Sequence, residues 1–568
     1  MERFNECQFC STLPGLAMRP FLLSLLVLLL AGCSAGSPRT TELVHTPVLT
    51  PVTVAVHALA QPSFCENRFI AHNLPFATGT RIREIHTYVS NGAGVAANDL
   101  DDDGDLDLLF ASIDRNSTIL WNEGDLRFVA EELAAPFTRS AQVVDVDGDD
   151  LLDIVFSQRT LDGISFWRNS GQKGPQRFVA TPLAGVDVYA YALGWADLSG
   201  DDALDLVAGS YNTELKQQGI PAPQADDRAG LFIYEQSADG FTGQRLSSSA
   251  ESLSIGLVDL DGDGQLDIWA ANDFALEDSV WDRANGADWQ PLDPFAQMSH
   301  STMSIEWGDI ANDGGLALFT TDMDPYDTST VNLARWLPMM NALAEPHRVG
   351  DPQRMANVLQ VHNGRSWRNR ASALGVEATG WSWAARFGDL DNDGLLDLYV
   401  VNGMIADNLF GHLPNSELVE ENRAFRNRGG AFTPAPEWGL GATASGRGMV
   451  MADVDSDGDL DIIINNLRAA ALLLENRLCG GAALAVDLRQ PASRNPYAVG
   501  AQVELVTSQG VLRRDVRASG GYLSGDPLRL HFGFPPEALL QELRIRWPDG
   551  ALSTITEFVP GTRLEVTR

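Results

Sequence analysis

Asp99-Leu100-Asp101-Asp102-Asp103-Gly104-Asp105-Leu106-Asp107 stands between two apolar runs, Gly94-Val95-Ala96-Ala97 before it and Leu108-Leu109-Phe110 after it. The same nine-residue pattern returns at Asp145 (DVDGDDLLD), Asp197 (DLSGDDALD), Asp259 (DLDGDGQLD), Asp309 (DIANDGGLA), Asp389 (DLDNDGLLD) and Asp453 (DVDSDGDLD). Fixed internal periodicity of this kind marks a repeat architecture. Acids at positions 1, 3, 5 and 9, with a carbonyl offered by position 7, form the all-oxygen donor set of a hard cation such as calcium. A glycine at position 6 supplies the positive φ that lets a loop wrap an ion. The pattern runs into a strand and lacks a glutamate at position 12, so it is a loop between strands, unlike the helix-flanked calcium loop.

The copies differ in their donors. Complete sets are expected at Asp99, Asp101, Asp103, Asp105 and Asp107, and at Asp259, Asp261, Asp263, Gln265 and Asp267. Asp389, Asp391, Asp393, Leu395 and Asp397 form a third, and Asp453, Asp455, Asp457, Asp459 and Asp461 a fourth. The set Asp145, Asp147, Asp149, Leu151 and Asp153 has Asp150 in the glycine position, and the set Asp197, Ser199, Asp201, Ala203 and Asp205 has a serine at position 3 and Asp202 at position 6. Both are expected to bind more weakly. At Asp309 the third and ninth positions are Ala311 and Ala317, so no stable metal is expected there. The sum is about four to six calcium sites.

Each copy lies among four short strand-like segments, as in Thr118 to Asn122 and Arg127 to Ala130 of the first unit. Seven such units predict an all-β, seven-bladed β-propeller over residues 63–479. Arg68 to Leu74 (RFIAHNL) echoes the fourth strand Arg127 to Leu133 (RFVAEEL) but precedes the first loop, whereas the last unit stops after its third strand, Ala470 to Arg477. The N-terminal strand is therefore expected to complete the last blade. Cys65 and Cys479 flank that junction, where the other blades have a covalent hairpin, and are expected to form a disulfide in its place. The loop from Asp309 to Asp389 is longer than the others and contains Asn332 to Met340, read as a short helix or lid.

The first 32 residues read as a lipoprotein signal: an apolar run from Phe21 to Ala31, too short to span a bilayer, ends in Leu30-Ala31-Gly32-Cys33, with Met18 as an alternative start. Cleavage before Cys33 leaves a lipidated N-terminus, and Ser34 fits outer-membrane sorting of an exported envelope protein. Residues 33–62, rich in Ser, Thr, Pro and Ala, read as a flexible tether. The net charge of −36, from 40 basic and 76 acidic side chains, excludes a nucleic-acid partner. Of those 76 acids, 30 fall inside the seven nine-residue windows, so the acidity is concentrated in the cages.

Together these features resemble the FG-GAP or VCBS repeats of integrin-α-like propellers. The tail strengthens the likeness: Val499-Gly500-Ala501-Gln502-Val503, Ser519 to Ser524 (SGGYLS), Leu530-His531-Phe532-Gly533 and Ile545 to Gly550 (IRWPDG) resemble the ASPIC/UnbV domain that follows such propellers in proteins similar to cartilage acidic protein. The resemblance implies calcium in the propeller loops and leaves the biochemical activity undefined. Residues 480–568 alternate apolar and polar positions and read on their own as a small β domain. Its Tyr522, His531 and Trp547 are read as core and turn pieces, with a ligand-binding set as the alternative.

The leading expectation is a membrane-tethered, calcium-stabilised binding or adhesion scaffold whose partner is a protein or polysaccharide. The alternative is a glycan- or ester-acting enzyme at the propeller mouth. No HExxH, GxSxG or GxxxxGK motif supports catalysis, and no catalytic residue is assigned. Asp324 with Asp327, and Trp381 with Trp383, are read as turn and packed strand, with a cleft lining as the alternative.

Overall fold

The computed structural model describes residues 49–60, 64–283, 288–342 and 350–568. The leader, Cys33 and the first part of the tether lie outside the described residues.

The first repeat folds as a four-stranded antiparallel meander, Val95–Asn98, Asp107–Phe110, Asn116–Asn122 and Phe128–Pro136. The first two strands are buried on both faces, which is why their sequences read as continuous apolar runs rather than alternating ones. Six further sheets repeat this order among the described residues; their first strands are Gln142–Val144, Ala192–Ala196, Ser252–Val258, Ile305–Gly308, Gly380–Gly388 and Gly446–Ala452. In each of the seven, the acidic loop joins the first strand to the second. Successive first strands pack side by side, and Gly446–Ala452 of the last sheet packs against Val95–Asn98 of the first.

The last sheet takes its outer strand from the other end of the chain. Arg68–Ala77 pairs antiparallel with Ala470–Arg477, with Arg68 opposite Arg477. A disulfide joins Cys65 to Cys479, with Cα atoms 5.5 Å apart. The long loop of the fifth repeat carries the helix Thr330–Ala342, which buries Trp336 and Met339 and sets Trp336 against Trp381 at 5.9 Å between ring centroids.

Residues 482–567 supply seven strands of two four-stranded sheets. One runs Gly510–Asp515, Gln502–Thr507, Leu540–Arg546, Leu552–Ile555; the other contains Thr562–Thr567, Ala482–Arg489 and Leu530–Phe534. The fourth strand of the latter corrects the tether reading. Thr53–Ala58 pairs antiparallel with Thr562–Thr567, so this part of residues 33–62 belongs to the C-terminal domain. Its side chains are mostly exposed at a sheet edge, and the segment is held by backbone pairing. An edge strand of this kind buries too little apolar surface to leave a hydrophobic signal.

The C-terminal domain shares a core with the repeats. Leu484, Val486 and Phe532 belong to the same buried cluster as Leu100, Val146 and Leu152, which lie within the first two acidic loops.

Candidate metal centres

The acidic loops share one backbone conformation. Position 4 has positive φ in all seven (Asp102, Gly148, Gly200, Gly262, Asn312, Asn392, Ser456), and so does position 6 (Gly104, Asp150, Asp202, Gly264, Gly314, Gly394, Gly458). Asp150 and Asp202 thus adopt the left-handed conformation that glycine provides elsewhere; Asp tolerates it better than most residues. The first aspartate holds the turn by accepting backbone N–H bonds from within the loop, as when Asp453 accepts from Asp457 at 3.0 Å and Gly458 at 2.9 Å. Even the depleted loop keeps this shape, since Asp309 accepts from Asp313 and Gly314. Loop conformation is therefore set by position 1 and the two left-handed residues, independently of a full ligand set.

Position 9 has a second task. Asp461 accepts the Val454 N–H at 3.2 Å on one oxygen and the Asn476 N–H at 2.8 Å on the other. Asn476 then donates from Nδ2 to Leu460 O in its own sheet and to Leu390 O in the preceding repeat. Asn122, Asn169 and Asn427 make the same link between neighbouring repeats.

In five loops, three carboxylates each bring an oxygen within 4.8 Å of the others: Asp99, Asp101 and Asp107; Asp145, Asp147 and Asp153; Asp259, Asp261 and Asp263; Asp389, Asp391 and Asp397; Asp453, Asp455 and Asp457. Among the described residues the loops at Asp197 and Asp309 form no such group. At position 3, the buried Oδ1 atoms of Asp101, Asp391 and Asp455 have no hydrogen-bond partner. A buried unsatisfied acceptor is costly, and these donor sets can hold a hard cation.

The electrostatics agree with that fit. Burial, reinforced by neighbouring aspartates, pushes the carboxyls of Asp107 and Asp389 up to about 8. Burial and crowding bring Asp453 to about 7 and Asp457 to about 9, and hold Asp397 and Asp461 well above the usual carboxylate range. Three of the five cages also face an arginine at position 3 or 5, Arg177 lying 3.5 Å from Asp101 in the first. Arg426 lies 2.6 Å from Asp391 and 3.0 Å from Asp393, and Arg168 pairs with Asp147 and Asp149. These guanidiniums compete with a cation for positions 3 and 5.

The loop face is the face on which the C-terminal domain rests. Arg529 and Arg563 donate to Gly104 O at 3.1 and 2.8 Å, Tyr497 donates to Asp150 O at 3.1 Å, and His531 Nε2 donates to Gly458 O at 2.9 Å. Burial drives His531 down to about 4, so its ring is neutral at ordinary pH.

From this domain the segment 517–527 reaches in among the first strands. Gly521 N–H donates to Ile305 O, Ala141 N–H to Leu523 O, Val95 N–H to Ser524 Oγ and Gly92 N–H to the Tyr522 hydroxyl. Glu306, Arg386, Arg517 and Asp526 form an ion-pair network at its base, with separations of 2.7 to 3.1 Å. Gly94 makes room for it, because a Cβ there would lie 2.0 Å from Leu523 O. Tyr522 is fully buried against Trp383 at 5.0 Å, and Trp547 is buried with its indole N–H on Ser553. Tyr522, His531 and Trp547 thus serve separate packing contacts.

Where first strands begin and second strands end, opposite the acidic loops, a cavity of about 180 Å³ opens. Trp381 and Trp383 line it, together with Tyr88, Tyr211 and Asp273, which come from three different repeats or loops and were not recognised in the sequence. Asp324 is half-buried at the start of the inserted loop, and Asp327 caps the turn before its helix by accepting the Ser329 N–H.

These observations define an all-β repeat protein with acidic metal-type loops and an appended β domain. The family models assign both parts: the FG-GAP-like repeat matches residues 99–156 and 409–464, and the ASPIC and UnbV model matches residues 491–568. The chain carries FG-GAP-like repeats and a C-terminal ASPIC/UnbV domain. Among curated proteins none matches it. Among solved structures, BBS1N in complex with ARL6DN is similar at 11% identity, covering 73% of this chain and 98% of that one with a TM-score of 0.37. A mutant of AofleA from Arthrobotrys oligospora is similar at 12% identity, covering 66% and 92% with a TM-score of 0.34.

Proposed function

We propose that the seven sheets are blades of one closed propeller stabilised by calcium, and that the protein is an exported binding scaffold. On this reading Cys33 carries the lipid anchor at the cell envelope, and the partner is a protein or polysaccharide. The observation that carries the calcium assignment is the set of partnerless, buried position-3 oxygens of Asp101, Asp391 and Asp455 beside other carboxylates. An ion there would neutralise charges that burial and mutual repulsion otherwise disfavour. Its role is structural: it would stiffen the loops whose carbonyls receive Arg529, Arg563, Tyr497 and His531. The repeats and the C-terminal domain would then present a rigid surface, the usual setting for recognition loops.

Elemental analysis and substitution test this reading. The native chain is expected to retain several calcium ions after gel filtration. Asp391→Ala should lose about one of them, because it removes a buried ligand of a crowded cage. Asp313→Ala should lose none. Absence of calcium from the native chain, or equal stoichiometry in both variants and the native chain, would refute the assignment.

A further inference from the structure

The cavity opposite the acidic loops is built differently from any metal cage. Tyr88, Tyr211, Phe274, Trp381 and Trp383 surround it, with the Asp273 carboxylate among them. Tyr88 is inclined to Tyr211 by 55° at 5.6 Å, and meets Phe274 edge-on at 79° and 6.5 Å. Rings set at such angles turn more than one π face toward a shared volume. Met303, Met323 and Met404 fill the gaps with polarizable thioethers. Gln217 and Asn408 are exposed and Tyr88 and Phe274 half-buried, so the rim is open to solvent while the floor is buried.

Two atoms of this lining are without a partner. Asn91 Oδ1, an acceptor, and Trp381 Nε1–H, a donor, belong to side chains only 3% and 2% exposed. Leaving a buried polar atom unsatisfied is costly, and a ligand that supplies both partners removes that cost. Asp273 is held in place by the Tyr211 hydroxyl and by the Phe274 N–H at 2.9 Å.

Asp273 is the one acid of the lining, and among the described residues no basic side chain lines the cavity. Burial, with the carboxylates of Asp273, Glu251 and Glu214, pushes the Tyr88 hydroxyl up to about 12. Two buried guanidiniums lie nearby, and one of them, Arg447, touches the lining residues Trp383 and Met404 from outside the cavity. Arg139 pairs with Glu214, and Arg447 stacks on Trp383 at 4.1 Å while donating to the carbonyls of Ser90, Gly403 and Gly446.

We propose that this cavity binds a small organic cation, an alkylated ammonium with a short hydroxyl-bearing arm, of which choline is the simplest example. Aromatic faces attract such a cation through their quadrupoles, and the adjacent carboxylate supplies the counter-charge. Its methyl groups pack on the methionine and indole walls. A hydroxyl on the arm can accept from Trp381 Nε1–H and donate to Asn91 Oδ1. The volume lies below the roughly 300 Å³ at which drug-sized sites begin, so one such group fills it and an oligosaccharide does not fit. The site shares no residue with the acidic loops and stands apart from the calcium reading.

Isothermal titration of the full chain against choline and its neutral isostere 3,3-dimethyl-1-butanol separates charge recognition from apolar burial. Choline should bind about tenfold more tightly than the isostere. Asp273→Asn should abolish most of that preference, and Tyr88→Leu at the half-buried rim should weaken choline several-fold while leaving the isostere unchanged. Calcium-dependent melting of each variant reports separately on the fold and the metal loops. Equal affinity for the two ligands, no choline binding up to about 10 mM, or a preference for choline untouched by both substitutions overturns the proposal. Phosphatidylcholine vesicles provide the lipid arm: capture by vesicles without binding of free choline also overturns it.

Discussion

If the acidic loops hold calcium as proposed, its removal at two pH values exposes how much of the fold rests on crowded carboxylates. The sign follows from the raised pKa values of Asp107, Asp153 and Asp389, each about 8, and of Asp457, about 9. In the unfolded chain these groups titrate near 4. Without metal, the folded state holds their protons between pH 4 and 8 while the unfolded state has lost them. The metal-free protein therefore loses stability as pH rises through that window. On the calcium reading the ion reverses this, because it would bind the ionised cages and have to displace protons at low pH. At tenfold excess over its dissociation constant, each site contributes about 1.4 kcal/mol, or about 7 kcal/mol over five cages. An unfolding entropy of roughly 2.1 cal/mol/K per residue across the compact unit Val48–Arg568 gives about 1.1 kcal/mol per degree. Thermal melts with calcium and with EDTA should thus differ by about 6 °C at pH 8 and converge toward pH 5. Identical melts at pH 8, or a metal-free melting temperature that climbs from pH 5 to pH 8, would refute the reasoning.

Asn476→Ala deprives the buried carbonyls of Leu390 and Leu460 of their donor and should cost about 2–4 kcal/mol in urea unfolding. The exposed turn residue Asn363 caps only its own loop, so Asn363→Ala should cost far less. Tyr522→Ala empties the space against Trp383 and should cost about 3–5 kcal/mol, whereas Tyr522→Phe keeps the ring, loses the bond from Gly92 N–H and should cost about 1 kcal/mol; equal losses would contradict the packing role. Cys65→Ala opens a loop of 414 residues, for which chain entropy sets an upper figure of roughly 6 kcal/mol. A melting temperature unchanged in that variant and in reductant would show that strand pairing alone holds the junction.

The conformation of the acidic loops was legible because it is local. Position 1 binds the backbone three to five residues on, and two left-handed residues close the turn, so nine letters are enough to specify it. Pairing of Arg68–Ala77 with Ala470–Arg477 was legible because a repeat supplies its own template: an extra fourth strand at one end answers a missing one at the other. The edge strand Thr53–Ala58 was misread because it is held by backbone bonds that any composition can make. The insertion of segment 517–527 among the first strands, the resting of Arg529, Arg563 and His531 on loop carbonyls, and the gathering of Tyr88, Tyr211, Asp273 and Trp381 around one cavity leave no periodic trace. Each joins residues tens to hundreds of positions apart, and their meeting depends on how whole sheets pack. The amino-acid sequence by itself determined the repeat and its loop chemistry; the tertiary structure alone decided which face of the repeats is covered and which is left with an open aromatic mouth.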